Sequence, residues 1–347
     1  MKYLIVIFST MLLFSCNKQE GEIGEAVEEF FTVKTGKTTH PILVKGNTAS
    51  KVFLIYIHGG PGDPGIWEHN TPESAEYIQP HYAAVYFDQP YAGFSQGNNW
   101  SGVGVREFRD ALDGVVETIK NVYGNDNSIF ILGHSWGGFV SSAYLTKGNN
   151  QDKIKGWINM SGSHNYSLND TLVGDKIREV GQMQIDAGID VSTWQSMIDW
   201  VNANPPDGTS KRSNDINSMG FDGANMMEDS LNDGFQLDAG KIILGQYQPW
   251  AMTSFATNLI STNILNLNQL ALDNEMSSAL SNVTIPVLNL YGKYDFIVPK
   301  GLGDDVMNRV SSTWKKMVIF PKSDHNPQLQ EPEACHAEMR AFIETFK

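Results

Sequence analysis

From Val52 onward the chain alternates short apolar runs, rich in β-branched residues, with longer stretches in which apolar residues recur every three or four positions. That alternation is the pattern of parallel strands joined by crossover helices. Val52 to Ile57, Ala83 to Phe87, Ile129 to Leu132 and Ile154 to Met160 read as strands. Between the second and third, Val105 to Val122 places Phe108, Ala111, Leu112, Val115, Val116 and Ile119 on one stripe and predicts a helix buried by that face. Ahead of them, Glu28 to Val33 and Pro41 to Lys45 around Gly36 predict an antiparallel hairpin that opens the sheet.

After Ser161 the rhythm breaks. The text becomes rich in Asn, Asp, Gly and Met, with Pro205 and Pro206 paired and helix-like pieces such as Thr193 to Val201. Strands return at Ile285 to Tyr291 and Lys316 to Phe320, flanking a helix-like segment near Asp304 to Val310, and Pro332 to Phe346 predicts a last helix with proline in its first turn. The organisation expected is one α/β core in two parts, residues 27–162 and 284–347, interrupted by a mainly helical cap over 163–283.

The first sixteen residues are different: Met1, Lys2, an apolar stretch from Tyr3 to Phe14, then Ser15 and Cys16. About twelve apolar residues make a helix of roughly 18 Å, too short for a hydrocarbon core of about 30 Å, so the stretch reads as an export signal and not as a permanent span. Leu13-Phe14-Ser15-Cys16 resembles the lipobox of bacterial lipoproteins. The resemblance implies a signal peptide over 1–15, lipidation at Cys16, a flexible tether over 16–26 and a place on a membrane of the bacterial cell envelope. With Cys16 and Cys335 the only cysteines, no disulfide framework is suggested, and Cys335 reads as a buried or half-buried thiol.

At 347 residues and 41 % hydrophobic, the chain can bury one large core with an insertion. The net charge of −14, with no basic run longer than a pair, argues against a nucleic-acid partner. No HExxH, CxxC or clustered His/carboxylate spacing is present, so no metal is expected.

Gly133-His134-Ser135-Trp136-Gly137 fits GxSxG, with the strand Ile129 to Leu132 running in and an apolar helix-like run from Phe139 to Leu145 running out. In that context Ser135 sits on a strand-to-helix turn that exposes its hydroxyl at the carboxyl edge of the sheet, as a nucleophile requires. A hydroxyl attacks only when a base takes its proton and an acid orients that base. Asp295 follows the strand ending at Tyr291, and His325 follows the strand ending at Phe320, so both fall at the same edge. His58 and His134 belong to turns beside the site, His336 lies inside the last helix, and His40, His69, His81 and His164 lack a strand-end context after the acid. Asp324 is a poor orienting acid because residues adjacent in sequence seldom face each other. His58-Gly59-Gly60-Pro61-Gly62 follows the first strand, and its glycines suit an oxyanion hole built from the amides of Gly60 and Trp136.

HGGPG at His58 to Gly62, GHSWGG at Gly133 to Gly138, and Asp88-Gln89 followed by Gly93 and Ser95 together resemble the proline iminopeptidase group of α/β-hydrolases. Gly292 to Pro299 and Asp324 to Pro332 extend the resemblance over most of the core, leaving the cap uncovered. It implies the α/β-hydrolase fold, with a mostly parallel central sheet flanked by helices. It also implies release of an N-terminal residue, often proline, from a small peptide, with no cofactor. Where that group reads Asp-Gln-Arg-Gly, this chain reads Asp88-Gln89-Pro90-Tyr91 and lacks the arginine. The carboxylate that such an enzyme places against the substrate amine would lie in the cap, where Asp170, Asp175, Glu179, Glu228 and Asp229 stay open.

Two other functions compete. The same triad serves a carboxylesterase or lactonase, since the cap sets pocket chemistry; Trp136, Trp67, Trp100 and the Met-rich cap would suit an apolar group in either case. An inactive hydrolase fold acting as a binding module is the remote alternative, because such relatives usually lose a catalytic residue and this chain keeps them all. The sequence does not fix the oligomeric state.

Overall fold

A computed structural model describes residues 26–97, 103–231, 256, 260 and 265–347. The signal, most of the tether, Cys16 and Trp100 lie outside the described residues, as do most of residues 232–264 and the side chains of Glu228 and Asp229.

Among the described residues the strands are β1 (Ala26–Thr35), β2 (Thr38–Asn47), β3 (Val52–Ile57), β4 (Ala83–Phe87), β5 (Ser128–His134), β6 (Gly156–Met160), β7 (Val287–Gly292) and β8 (Lys315–Phe320). These eight form one sheet in the order β1-β2-β4-β3-β5-β6-β7-β8. The hairpin β1–β2 and the pair β2–β4 are antiparallel. From β4 to β8 all pairs are parallel. Among the described residues the chain therefore has the α/β-hydrolase architecture of a mostly parallel sheet flanked by helices.

Both faces of the sheet are covered, which is why its central strands are apolar without a break. In β3, Phe53, Ile55 and Ile57 point into one core with the stripe of α1 (Val105–Tyr123) and with Trp136, Phe139 and Val140 of α2 (Trp136–Leu145). Val52, Leu54 and Tyr56 point into the opposite core with Cys335, Met339, Phe342 and Ile343 of the last helix. Cys335 is fully buried, and burial pushes its thiol well above its ordinary value.

The hairpin strands are longer than their apolar runs because the pairing of Ala26 with Asn47 through Thr35 with Thr38 is carried by the backbone. The sixth strand begins two residues later than its apolar run, at Gly156. A 3-10 turn over Asn150–Lys153 holds Ile154, whose amide donates to the Gln151 carbonyl at 3.0 Å.

Between β6 and β7 the described chain is helical: α3 (Tyr166–Asp186), α4 (Val191–Ala203), α5 (Ser210–Leu231) and α6 (Leu267–Asp273). Asn165 caps α3, its side chain accepting from the Leu168 amide at 3.0 Å. Val173, Ile177 and Val180 of α3, Trp194, Met197 and Val201 of α4, and Ile216 and Met227 of α5 form a separate apolar cluster around Phe296. Met197 and Met227 are thus part of a packed core. Phe296 comes from the loop after β7, stacks on Trp194 at 6.0 Å between centroids, and lies so close to α5 that a Cβ on Gly223 would stand 2.8 Å from its ring. After that loop, α7 (Gly301–Arg309) precedes β8, and α8 (Pro332–Phe346) closes the chain with Pro332 at its start. The segment expected as a helix at Asp304 to Val310 starts three residues earlier, and Val310 is its extended cap.

Candidate active site

Ser135 stands between the end of β5 and the start of α2 at φ 56° and ψ −119°, a region that non-glycine residues enter at a cost of about 1–3 kcal/mol. The strain is held from three sides: its amide donates to the Met160 carbonyl at 3.3 Å, and its carbonyl accepts from Gly138 at 2.9 Å and Ser163 at 3.0 Å. Small neighbours make the turn possible. A Cβ on Gly137 would run into the Ile57 carbonyl, and one on Gly138 would stand 2.6 Å from Gly162 Cα.

Because β7 and β8 are parallel, the loops leaving them meet at the same edge. Lys293 and Tyr294 donate backbone bonds to Phe320 and Ser323 at 2.9 and 3.0 Å, tying the two loops together. Asp295, fully buried, accepts from the Ile297 and Val298 amides through Oδ1 at 2.9 and 2.8 Å, and its Oδ2 faces His325 Nδ1 at 3.0 Å. Burial pushes the His325 imidazole down, but the bonded Asp295 carboxylate and the charge of Asp324 outweigh it and hold the ring above its ordinary 6.5. Asp324 itself turns away: Oδ1 accepts from the Asn326 amide at 3.2 Å.

His134 donates from Nε2 to the His325 carbonyl at 3.1 Å and lies against its ring, 4.9 Å between centroids. Burial, then the His325 charge, push His134 down to about 3, so it stays neutral beside the proposed base.

The loop after β3 passes over the serine, where a Cβ on Gly59 would stand 3.2 Å from that of Ser135. Gln89 fixes this loop. Its side-chain amide donates to the His58 carbonyl at 2.9 Å, its backbone amide donates to His58 Nε2 at 3.1 Å, and its Oε1 accepts from Trp136 Nε1 at 3.0 Å. The Trp136 ring is therefore a buried strut and not a pocket wall, contrary to the sequence expectation. Asp88 accepts from the amides of Gly65, Ile66 and Phe94, and burial still pushes it up to about 6. These bonds organise the Asp88–Phe94 turn without the arginine that the resembled group carries.

Ser135 and His325 open into a cavity of about 590 Å³, whose core wall includes Gly59, Gly60, Asp63, Trp67 and Glu68 and whose cap wall includes Tyr166, Asn169, Asp170, Ser213 and Phe221. Of the cap carboxylates left open by the sequence, Asp170 alone among those described lines it. It is 3 % exposed, accepts from Ser213 Oγ at 2.9 Å, and burial pushes it up to about 7. Asp175 and Glu179 are exposed instead, paired along α3 with Arg178 and Lys176. Sequence reasoning assigns no role to Gln89, His134 or Glu68; Gln89 enters only within the Asp88-Gln89 motif, and His134 only within GxSxG and as a turn histidine beside the site. Among the described residues no group of three or more His, Cys, Asp and Glu side chains is placed to hold a metal ion.

Comparison with known proteins agrees with this architecture. Residues 52–332 match the alpha/beta hydrolase fold family. The chain is 22 % identical over 308 residues to a probable aminopeptidase, YbaC, of Bacillus subtilis, covering 86 % of this chain and 90 % of that one. Among solved structures it superposes on proline iminopeptidase of Mycobacterium smegmatis with a TM-score of 0.61 at 15 % identity, covering 92 % of this chain and 98 % of the other. It also superposes on an esterase from Exiguobacterium antarcticum at 0.54 and 13 % identity, with 92 % and 100 % coverage.

Proposed function

Because this chain belongs to the alpha/beta hydrolase fold family, we propose that it is a serine hydrolase working through an acyl-enzyme, with Ser135 as nucleophile, His325 as base and Asp295 as the acid that orients it. The observation that carries the reading is the bond between His325 Nδ1 and a fully buried Asp295, on the cavity where the strained Ser135 turn lies. Asp295 keeps the Nδ1 proton in place, leaving Nε2 to accept the serine proton and later return it to the leaving group. The amides of Gly60 and Trp136 receive the developing oxyanion. Trp136 opens α2, so its N–H has no intrahelical acceptor, and a donor so placed contributes roughly 3 to 4 kcal/mol in the transition state.

The substrate favoured is a small peptide with a free N-terminal amine, as in a proline iminopeptidase-like aminopeptidase. Asp170 supports it, because a carboxylate buried in the cavity wall with a single hydroxyl donor is suited to an ammonium group. Ester or lactone cleavage by the same triad is the second reading, favoured by the apolar surfaces that Trp67 and Phe221 add to the cavity.

Steady-state hydrolysis of a prolyl arylamide with a free amine, beside its N-acetylated form and a short acyl ester, separates them. The aminopeptidase reading requires strong preference for the free amine, whereas cleavage of the ester alone rejects it. Ser135→Ala is expected to lower turnover by about four to six orders of magnitude, since triad members act as a unit; retained activity would overturn the mechanism.

Export with lipidation at Cys16 completes the proposal. Each buried methylene of an acyl chain contributes about 0.8 kcal/mol, so several chains hold a protein at a membrane. A Cys16→Ala variant that still partitions fully into the membrane fraction rejects the anchor.

A further inference from the structure

Among the described residues three carboxylates line the cavity, Asp63, Glu68 and Asp170, and no lysine or arginine does. They stand on two walls. Asp170 belongs to α3, while Asp63 and Glu68 belong to the loop that carries Gly60, with the Asp63 carboxyl carbon 3.4 Å from where a Gly60 Cβ would be. A single substrate ammonium held at Asp170 leaves the opposite wall without a counter-charge.

Two further atoms belong to this setting. Ser163 Oγ and Asn169 Oδ1 have no hydrogen-bond partner among the described residues, although Ser163 is 2 % and Asn169 6 % exposed, and both residues line the cavity. Asn169 donates through Nδ2 to the Ile297 carbonyl at 3.1 Å, which turns the acceptor end of its amide free. Buried acceptors without donors are costly unless a ligand supplies the donors.

We propose that the cavity takes substrates with two cationic groups, the N-terminal ammonium at Asp170 and a basic side chain at Glu68, making Glu68 a specificity-determining residue for Lys or Arg near the scissile bond. This rests on the serine-hydrolase reading and extends its aminopeptidase form. The hydroxyl of Tyr56, a residue 6 % exposed, donates to Glu68, which lines the cavity. Burial, with the neighbouring charges of Glu73 and Asp63, pushes Glu68 up to about 7 against that bond; a bound cation relieves the repulsion and the desolvation together.

The test compares lysyl with norleucyl arylamide, a prolyl-arginine with a prolyl-citrulline dipeptide, and an aminohexanoyl with a hexanoyl aryl ester, on wild type and Glu68→Gln. The wild type should favour the cationic member of at least one peptide pair by about tenfold or more in kcat/KM, as one charged hydrogen bond allows. Glu68→Gln should bring that ratio close to one. If the variant does not fold, Glu68→Asp replaces it, with a partial fall of the ratio expected from the retracted charge. Equal cleavage within every pair by the wild type overturns the inference while leaving the aminopeptidase reading intact. A ratio that Glu68 substitution does not move also overturns it. If neither the arylamides nor the dipeptides are cleaved but the esters are, the aminopeptidase reading fails, and the ester pair alone then decides: a Glu68-dependent preference for aminohexanoyl upholds the cation subsite at Glu68, and equal rates reject it.

Discussion

At the scale of single residues, the chemistry hinges on which proton sits where. In the proposed mechanism His325 must be neutral to accept a proton from Ser135, and its ring is held above 6.5, so kcat/KM is expected to fall as pH drops through an apparent value above 6.5. Asp295→Asn removes the charge that opposes burial. Its acid limb should move to lower pH while kcat falls about 10³- to 10⁴-fold, because the imidazole loses its orienting acceptor; a pH–rate profile of the variant checks both. Asp170→Asn should cut the preference for a free amine over its acetylated form by about ten- to a hundredfold, the range of a charge-assisted bond. The placement of Ser135, Asp295 and His325 at one edge was legible because each follows a strand run, and parallel strands deliver their ends to one edge. The partnership of Asp170 with Ser213 was not, since the two are joined by the packing of α3 on α5 and by no periodicity in either segment. Gln89 was invisible as a clamp for the same reason: its three bonds go to two residues, His58 and Trp136, that follow two other strand ends.

Among the elements, legibility followed how completely burial dictates composition. β3 and β4 coincide with their apolar runs because every residue in them is buried on one face or the other. The stripe of α1 is fully buried, as its spacing required. The helices between β6 and β7 were harder to read. α3 buries Asn169, Asp170, Gly174 and Lys176 beside Val173 and Ile177, so polar residues that line the cavity alternate with apolar ones that pack against α4, α5 and Phe296. The last helix offers a clean energetic test. Phe342 is 2 % exposed and touches Phe130 of β5, Trp314 and Phe346, on the face of the sheet away from α1 and α2. Phe342→Ala should lower unfolding free energy by about 3–5 kcal/mol in urea titrations while leaving turnover per folded molecule near that of the wild type.

For the whole molecule, the point of interest is how the helical cap is fastened to the sheet. Phe296 follows the acid Asp295 directly in sequence, yet its ring belongs to the core of α3, α4 and α5. Phe296→Ala should therefore loosen the cap and lower kcat together, by about the few kcal/mol that an emptied aromatic site costs; urea midpoints and turnover measured on one preparation check that the two losses coincide. The same adjacency sets a rule for recombination between relatives. A foreign cap spliced onto this sheet will work only if it presents an aromatic-sized recess where α5 offers Gly220 and Gly223. A cap lacking that recess would push on the segment that carries Asp295, so a change of pocket wall that spares this socket should leave the Asp295–His325 pair in place.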